Sequence, residues 1–311
     1  MIVTCYNIER HLNMETHGKI ILIGEHAVVY NKPAIVCPVF DAYVSVDIEP
    51  FEYTRIESDF YNGPIENATE QFESIKQLIL KLMEVNHIEP ILIKINNNIP
   101  IAAGMGASAA IAGAITKDIY QNINQVLTED DLKTWISYSE KIAHGNPSGI
   151  DMAGILSKQS LIFQKDHEIE PIRFDVDGFL LIVFSNTHGS TKEAVSLVSK
   201  HMPLYPNVLD NMQHSVLSAR RHIVNKDIQA LGNEMNQYQK YLNQLGVSTP
   251  LLEGMIKEAR DYGALGSKLT GGGLGGCIIA LFDNHEKLME LKQKFYNQGF
   301  QKQFVIDLKR I

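Results

Sequence analysis

Apolar and β-branched residues dominate short runs at positions 19–23, 34–39, 42–48, 90–95, 161–164, 179–184, 277–282 and 303–308. Runs of about four to eight such residues between Gly, Pro, Asn or charged residues predict strands. Elsewhere the repeat becomes helical. Phe72, Ile75, Leu78, Ile79, Leu82 and Met83 recur at steps of three and four, which predicts an amphipathic helix over 70–86. Thr128 followed by Glu129, Asp130 and Asp131 is a helix-start signature. The helix it opens is expected to run to about His144, with Leu132, Ile136, Ile142 and Ala143 facing inward. Further helices are predicted over 109–120, 208–224, 227–245, 250–262 and 284–297. Residues 1–13 carry an amphipathic scatter without a motif. An early β-rich layer, then helices, then strands around a helix is an α+β order. A boundary near Gly178 predicts domains of 1–177 and 178–311.

The 311 residues suffice for two domains of ordinary size. Hydrophobic content of 45% and charged content of 21% are those of a soluble globular protein. A net charge of −8 argues against a general nucleic-acid binder. Cys5, Cys37 and Cys277 are widely spaced, with no Cys-x-x-Cys, so neither a disulfide framework nor a thiolate metal site is indicated. The histidines show no H-E-x-x-H spacing. No apolar run is long enough to cross a bilayer and no secretory segment is evident, so a cytoplasmic protein without membrane or nucleic-acid partners is expected. An acidic chain that handles anions must place its cations locally, which draws attention to lysines beside glycine loops.

Two glycine loops stand out. Pro100-Ile101-Ala102-Ala103-Gly104-Met105-Gly106-Ala107-Ser108-Ala109 lies between the strand at 90–95 and the helix at 109–120. Unpaired N–H groups and the positive dipole end make a helix start a place for an anion, and small residues let one approach. Close helix–sheet packing explains small residues equally well. A dinucleotide fingerprint fits Gly104 to Ala109 formally, but the strand is too distant and 122–127 offers no carboxylate. No Walker A sequence occurs. In the second loop, Gly271, Gly272, Gly273, Gly275 and Gly276 fall within six positions after Lys268-Leu269-Thr270. Glycine weakens helices and strands, so this density implies unusual φ/ψ or close approach of a ligand.

Several single residues have chemical potential beside an ordinary reading. Lys19 heads an apolar strand, where an exposed lysine is the ordinary outcome and an ammonium facing a phosphate or a reacting hydroxyl is the functional one. Glu25 and His26 follow that strand as turn residues. Glu140 lies late in its helix, where the dipole disfavours an anion unless a cation is near. Asp151 closes the loop His144-Gly145-Asn146-Pro147-Ser148-Gly149-Ile150-Asp151, as an Asx-turn residue or as a rigidly held general base. Ser190 and Thr191 end a hydroxyl-rich loop that opens another helix.

The segments Lys-Ile-Ile-Leu-Ile-Gly-Glu-His-Ala-Val-Val-Tyr, Pro-x-x-x-Gly-x-Gly-x-Ser-Ala, His-Gly-Asn-Pro-Ser-Gly-Ile-Asp and Lys-x-Thr-Gly-Gly-Gly-x-Gly-Gly occur in this order. Together they resemble the superfamily of galactokinase, homoserine kinase, mevalonate kinase and phosphomevalonate kinase, over roughly residues 18–311. Gly24 to Tyr30 is similar to the mevalonate kinase branch. The resemblance implies an N-terminal ribosomal protein S5 domain 2-like domain and a C-terminal ferredoxin-like α/β sandwich. It implies ATP-dependent phosphorylation of the primary hydroxyl of mevalonate, with another small-molecule kinase activity of the superfamily, such as that of phosphomevalonate kinase, as the alternative. By resemblance, Pro100 to Ala109 would hold the ATP phosphates, Ser108 and Glu140 would bind Mg²⁺, and Asp151 would take the hydroxyl proton beside Lys19. Glu25, His26 and Thr191 would place the substrate, and Gly271, Gly272, Gly273 and Gly275 would form a closing loop. A homodimer is compatible with the family, the oligomeric state being open in the sequence. Where the family commonly has two serines, this chain has Ala107-Ser108, a loss of one hydrogen bond worth about 1 kcal/mol if made. A catalytically dead sensor is disfavoured because Lys19, Glu140 and Asp151 occur together, and an oxidoreductase by the failed fingerprint.

Overall fold

The computed structural model describes residues 15–145 and 147–311. Residues 1–13, Cys5 among them, and Asn146 of the His144–Asp151 loop lie outside the described residues. The chain forms two compact units, and both are assembled from separate stretches. The first comprises the described residues up to Gly18, Phe40–Ile99 and Gly106–Leu156; the second comprises Lys19–Val39, Pro100–Met105 and Ser157–Ile311.

The first unit is built on strands β1 (Thr16–Ile23), β2 (Ala34–Pro50), β3 (Arg55–Glu57), β4 (Asn62–Pro64) and β5 (Ile91–Asn97), of which β1 and β2 continue into the second unit. The second half of β2 pairs antiparallel with β5, with Val46 opposite Ile95; β3 pairs parallel with β5 and antiparallel with β4. Helices α1 (Glu73–Asn86), α2 (Ala107–Asn122), α3 (Glu129–His144) and α4 (Ile150–Leu156) complete the unit. On α1 the predicted stripe is buried at Ile75, Leu78, Ile79 and Leu82. Residues 34–48 are one continuous strand rather than the two expected. The polarity break at Phe40 and Asp41 is a change of exposure, since both are exposed and neither has the positive φ that a tight turn often needs.

Helix α3 corrects the expected stripe. Leu132 and Ile136 are buried, but Ile142 and Ala143 are exposed, and the inward place in the late turns is taken by Ser139 and Glu140. At about 100° per residue Glu140 continues the line from Ile136, whereas Ile142 points away.

In the second unit the first half of β2 pairs with β6 (Leu161–Phe163), which pairs with β7 (Glu170–Pro171). A separate antiparallel sheet runs β11 (Gln303–Asp307), β8 (Phe179–Phe184), β10 (Cys277–Phe282), β9 (Gly266–Thr270). Its helices are α5 (Thr191–His201), α6 (Val208–Val224), α7 (Ile228–Gln244), α8 (Pro250–Asp261) and α9 (His285–Asn297). Strand, helices, strand, strand, helix, strand, with the fourth strand beside the first, is the split βαβ arrangement expected of a ferredoxin-like domain. The central pair is apolar throughout, so β10 is wholly buried and Ile278 lies opposite Val183. Cys37 and Cys277 are free and buried; burial pushes the Cys37 thiol up to about 12 and the Cys277 thiol up as well, which makes both inert. Among the described residues no helix is long and apolar enough to cross a membrane.

Candidate active site

Pro100–Met105 belong to the second unit and Gly106–Ala109 to the first. In the second unit, β1 delivers Lys19 to the first glycine loop. Lys19 is 2% exposed, so the ordinary surface lysine is not what is seen. Its Nζ donates to the Gly104 carbonyl at 2.9 Å and its backbone N–H to the Met105 carbonyl at 3.0 Å. The second glycine loop meets the same segment. A Cβ on Gly271 would stand 2.5 Å from Gly104 Cα, and one on Gly104 would stand 2.8 Å from Gly271 Cα. With φ of 78° and 83° the two residues are also in the left-handed region. Part of the glycine density in both loops therefore answers to close backbone packing as well as backbone conformation. His188 bonds the Ile101 carbonyl and the Gly189 N–H donates to the Ala102 carbonyl, which ties the loop before α5 to the same segment. A water-sized cavity of about 10 Å³ lies among Ala103, Gly104, Thr191, Thr270, Gly272 and Gly276.

The turn after β1 is sealed. Glu25 is 1% exposed and its Oε1 accepts from the fully buried Lys268 ammonium, which also donates to the Leu269 carbonyl. Burial pushes the Glu25 carboxyl up, with Lys268 opposing, and pushes the Lys268 ammonium down. His26 holds φ of 62°, and its Nε2 donates to the Gly272 carbonyl at 2.9 Å. Burial lowers its pKa to about 4, against the hydrogen bond to Gly272 and with the help of Lys268. The ring is neutral at pH 7, and because a carbonyl only accepts, Nδ1 is the acceptor nitrogen. Thr191 begins α5, capped by the Ser190 hydroxyl, and its Oγ1 lies against Gly272.

In the first unit, Gly106 enters α2 with φ of 74° and no side-chain cap, leaving the first-turn N–H groups open. The left-handed entry suits glycine, and Ala107 behind it is buried. The Ser108 hydroxyl donates to Glu140 Oε1 at 2.8 Å. Glu140 is 4% exposed, and its Oε2 lies 3.8 Å from Nε2 of His144, whose side chain is exposed. The two residues assigned to a metal thus meet as neighbouring oxygen donors at a helix start. Asp151, half-buried, stands in the first turn of α4, where the helix dipole favours a carboxylate. The expected loop thus ends two residues earlier, at Gly149 with φ of 85°.

In the sequence Lys268 figures only as the first residue of the second glycine motif, and neither it nor Tyr238 is given a role there. Lys268 sits in a five-residue strand that is buried at every position, and Tyr238 keeps phase with the core of α7. The available signal for Lys268 was a lone charge in a run whose neighbours are small or apolar.

The buried lysine on a glycine-loop carbonyl in the second unit and, in the first, the open helix start with its paired oxygen donors are groups of the kind that phosphoryl transfer uses. Residues 73–159 match the family model of the GHMP kinases N-terminal domain, and residues 219–301 that of the GHMP kinases C-terminal domain. The mevalonate kinase of Thermococcus sibiricus is 31% identical over 292 residues, covering 85% of this chain and 87% of that protein. The crystal structure of mevalonate kinase from methicillin-resistant Staphylococcus aureus is 31% identical, with a TM-score of 0.73 over 95% of this chain and 98% of that one. The L. major mevalonate kinase in complex with R-mevalonate is 25% identical, with a TM-score of 0.79 over 94% of this chain and 95% of that one. The chain belongs to the mevalonate kinase family of the GHMP kinases.

Proposed function

We propose that this enzyme transfers the γ-phosphoryl group of ATP to the primary hydroxyl of (R)-mevalonate, giving 5-phosphomevalonate and ADP. The observation that carries the reading is the Ser108–Glu140 pair at the open start of α2 in a chain of this family. Mg²⁺ takes oxygen donors and keeps several positions for phosphate and water, so one carboxylate with one hydroxyl fits it. Ser108 and Glu140 would hold the ion, which supplies positive charge at the phosphate oxygens when bound.

Backbone N–H groups of Gly104 to Ala109 bind the phosphates, in a segment whose Pro100, Ile101, Ala102 and Ala103 form the approach. Asp151 accepts the proton as the hydroxyl oxygen bonds to phosphorus and the bond to ADP breaks. Lys19, held by the Gly104 carbonyl, favours the developing negative charge on that oxygen. Because the transition state is loose, holding these groups in place contributes more than covalent chemistry. Glu25, His26 and Thr191 place the substrate, and Gly271, Gly272, Gly273 and Gly275 order the region. We assign residues 1–177 and 178–311 as the two family domains, a division supported by the matched stretches 73–159 and 219–301 falling on either side. The enzyme is taken to work in the cytoplasm, with a homodimer as one assembly open to it.

The test is a substrate panel read by coupled ADP release. Mevalonate is expected to be turned over well above galactose and homoserine, and turnover of either sugar or amino acid without mevalonate overturns the assignment. An Asp151→Asn enzyme working at the parent rate would remove Asp151 as the base.

A further inference from the structure

The proposed function gives no role to the buried ammonium of Lys268. Lys268 lies on β9, the edge of its sheet, where one side of the strand has no ladder partner. That side is satisfied by side chains instead. The Ser267 N–H donates to Asn236 Oδ1 and the Leu269 N–H to Gln239 Oε1, both from α7, while Thr270 Oγ1 exchanges hydrogen bonds with the backbone of Ile21 at 2.9 Å each. Lys268 is therefore fixed from both flanks, and its ammonium reaches the Glu25 carboxylate and stands 5.5 Å from the Tyr238 ring centroid. Tyr238 donates its hydroxyl to the Glu25 backbone carbonyl at 2.9 Å. Glu25 Oε2 is buried and has no hydrogen-bond partner among the described residues. A carboxylate enclosed in this way does not present itself to a ligand.

We infer that Lys268 and Tyr238 are positioning residues for the phosphoryl acceptor, acting through Glu25. Side chain and carbonyl of Glu25 are gripped at once, so the turn from Gly24 to His26 is held from two elements. Its neighbour His26, at φ of 62° and ψ of −46°, is the centre of a γ-turn closed by the Ala27 N–H on the Glu25 carbonyl at 2.7 Å, the rare and strained form of that turn. With Nε2 committed to the Gly272 carbonyl, the grip carries through His26 to the second glycine loop, whose Gly272 lines the cavity beside Thr191. Lys268 thus orders the turn without touching the substrate.

The inference rests on the proposed mevalonate activity, so the parent enzyme is assayed first; failure there falls on that reading alone. Tyr238→Phe, Lys268→Met and the double variant Glu25→Gln/Lys268→Met are then compared, with KM measured separately for mevalonate and for ATP and with thermal unfolding alongside. Tyr238→Phe keeps the ring packing and is expected to raise the mevalonate KM by roughly three- to tenfold with the ATP KM within about twofold. Lys268→Met is expected to raise it by more than about tenfold and to lower Tm. The double variant, which leaves no buried charge, is expected to regain Tm but not KM. If Lys268→Met does not fold, Tyr238→Phe and the double variant decide. Parent-like mevalonate KM in both, or equal rises in both KM values, overturns the inference.

Discussion

Two buried glutamates are treated in opposite ways. Glu25 is bonded to a lysine with no exposure of its own, whereas Glu140 accepts from the Ser108 hydroxyl at a helix start and faces His144 at 3.8 Å. A carboxylate on a sealed ammonium has its charge answered inside the fold. A carboxylate beside a hydroxyl stands in an oxygen-donor set suited to a hard cation. On the proposed roles, the difference separates a residue that shapes the site from one that serves chemistry in it, although both look alike by burial.

The contrast is broken most forcefully at Lys268. Replacing it with Met leaves a buried carboxylate without its cation, and removing one partner of such a pair costs about 3–5 kcal/mol. Urea unfolding is expected to show that loss for Lys268→Met and much less for Glu25→Gln/Lys268→Met. Equal losses in the two would mean that packing, not charge, is what Lys268 supplies. Glu140→Gln keeps the shape of its side chain and removes its charge. Turnover is expected to fall roughly 100-fold, about 3 kcal/mol, with a higher Mg²⁺ concentration for half-maximal rate. An unshifted Mg²⁺ titration would place Glu140 with Glu25 as a structural residue.

His26 sharpens the comparison through pH. Its pKa is about 4 when folded, against 6.5 for the ordinary side chain. Between those values the unfolded chain binds a proton that the folded one does not. Stability from this source is complete above about pH 6.5 and is lost as pH falls towards 4, by about 3 kcal/mol in all. The raised Glu25 carboxyl works in the other direction, because there the folded state holds the extra proton as pH falls. Lys268 and Lys19 also act on that carboxyl. The clean comparison is therefore with His26→Gln, which retains all three and whose side-chain amide reaches about as far as the imidazole Nε2 that bonds Gly272. The parent is expected to lose more stability than this variant between pH 7 and about pH 4.5. Parallel curves would remove His26 as the source.

Much of this was legible in the sequence, for reasons that differ by residue. Strands such as β5 and β10 and helices such as α1 declare themselves because period and burial coincide. Ser108 and Glu140 were joined only by family resemblance, since a separation of 32 residues carries no local signal. The Glu25–Lys268 pair spans 243 residues, so no local pattern joins the two. On α3 the apolar residues Ile142 and Ala143 drew the stripe outward, while the true inward position carried a charge. Hydrophobic pattern finds the core where the core is apolar, and it fails where the buried group is charged.

The smallest effect concerns Ala107, buried in the first turn of α2 directly after the left-handed Gly106. Ala107→Ser would add one hydroxyl at a helix start where N–H groups are open. The hydroxyl adds a donor near the proposed phosphate position, worth about 1 kcal/mol if the bond forms, and a small volume to a tight site. The outcome expected is a change in ATP KM of up to about fivefold with Tm nearly constant. A marked fall in Tm with unchanged ATP KM would show that the alanine is there for packing against the neighbouring elements. In that case the open start of α2 already holds phosphate through its backbone alone, and the second hydroxyl common in the family is dispensable here.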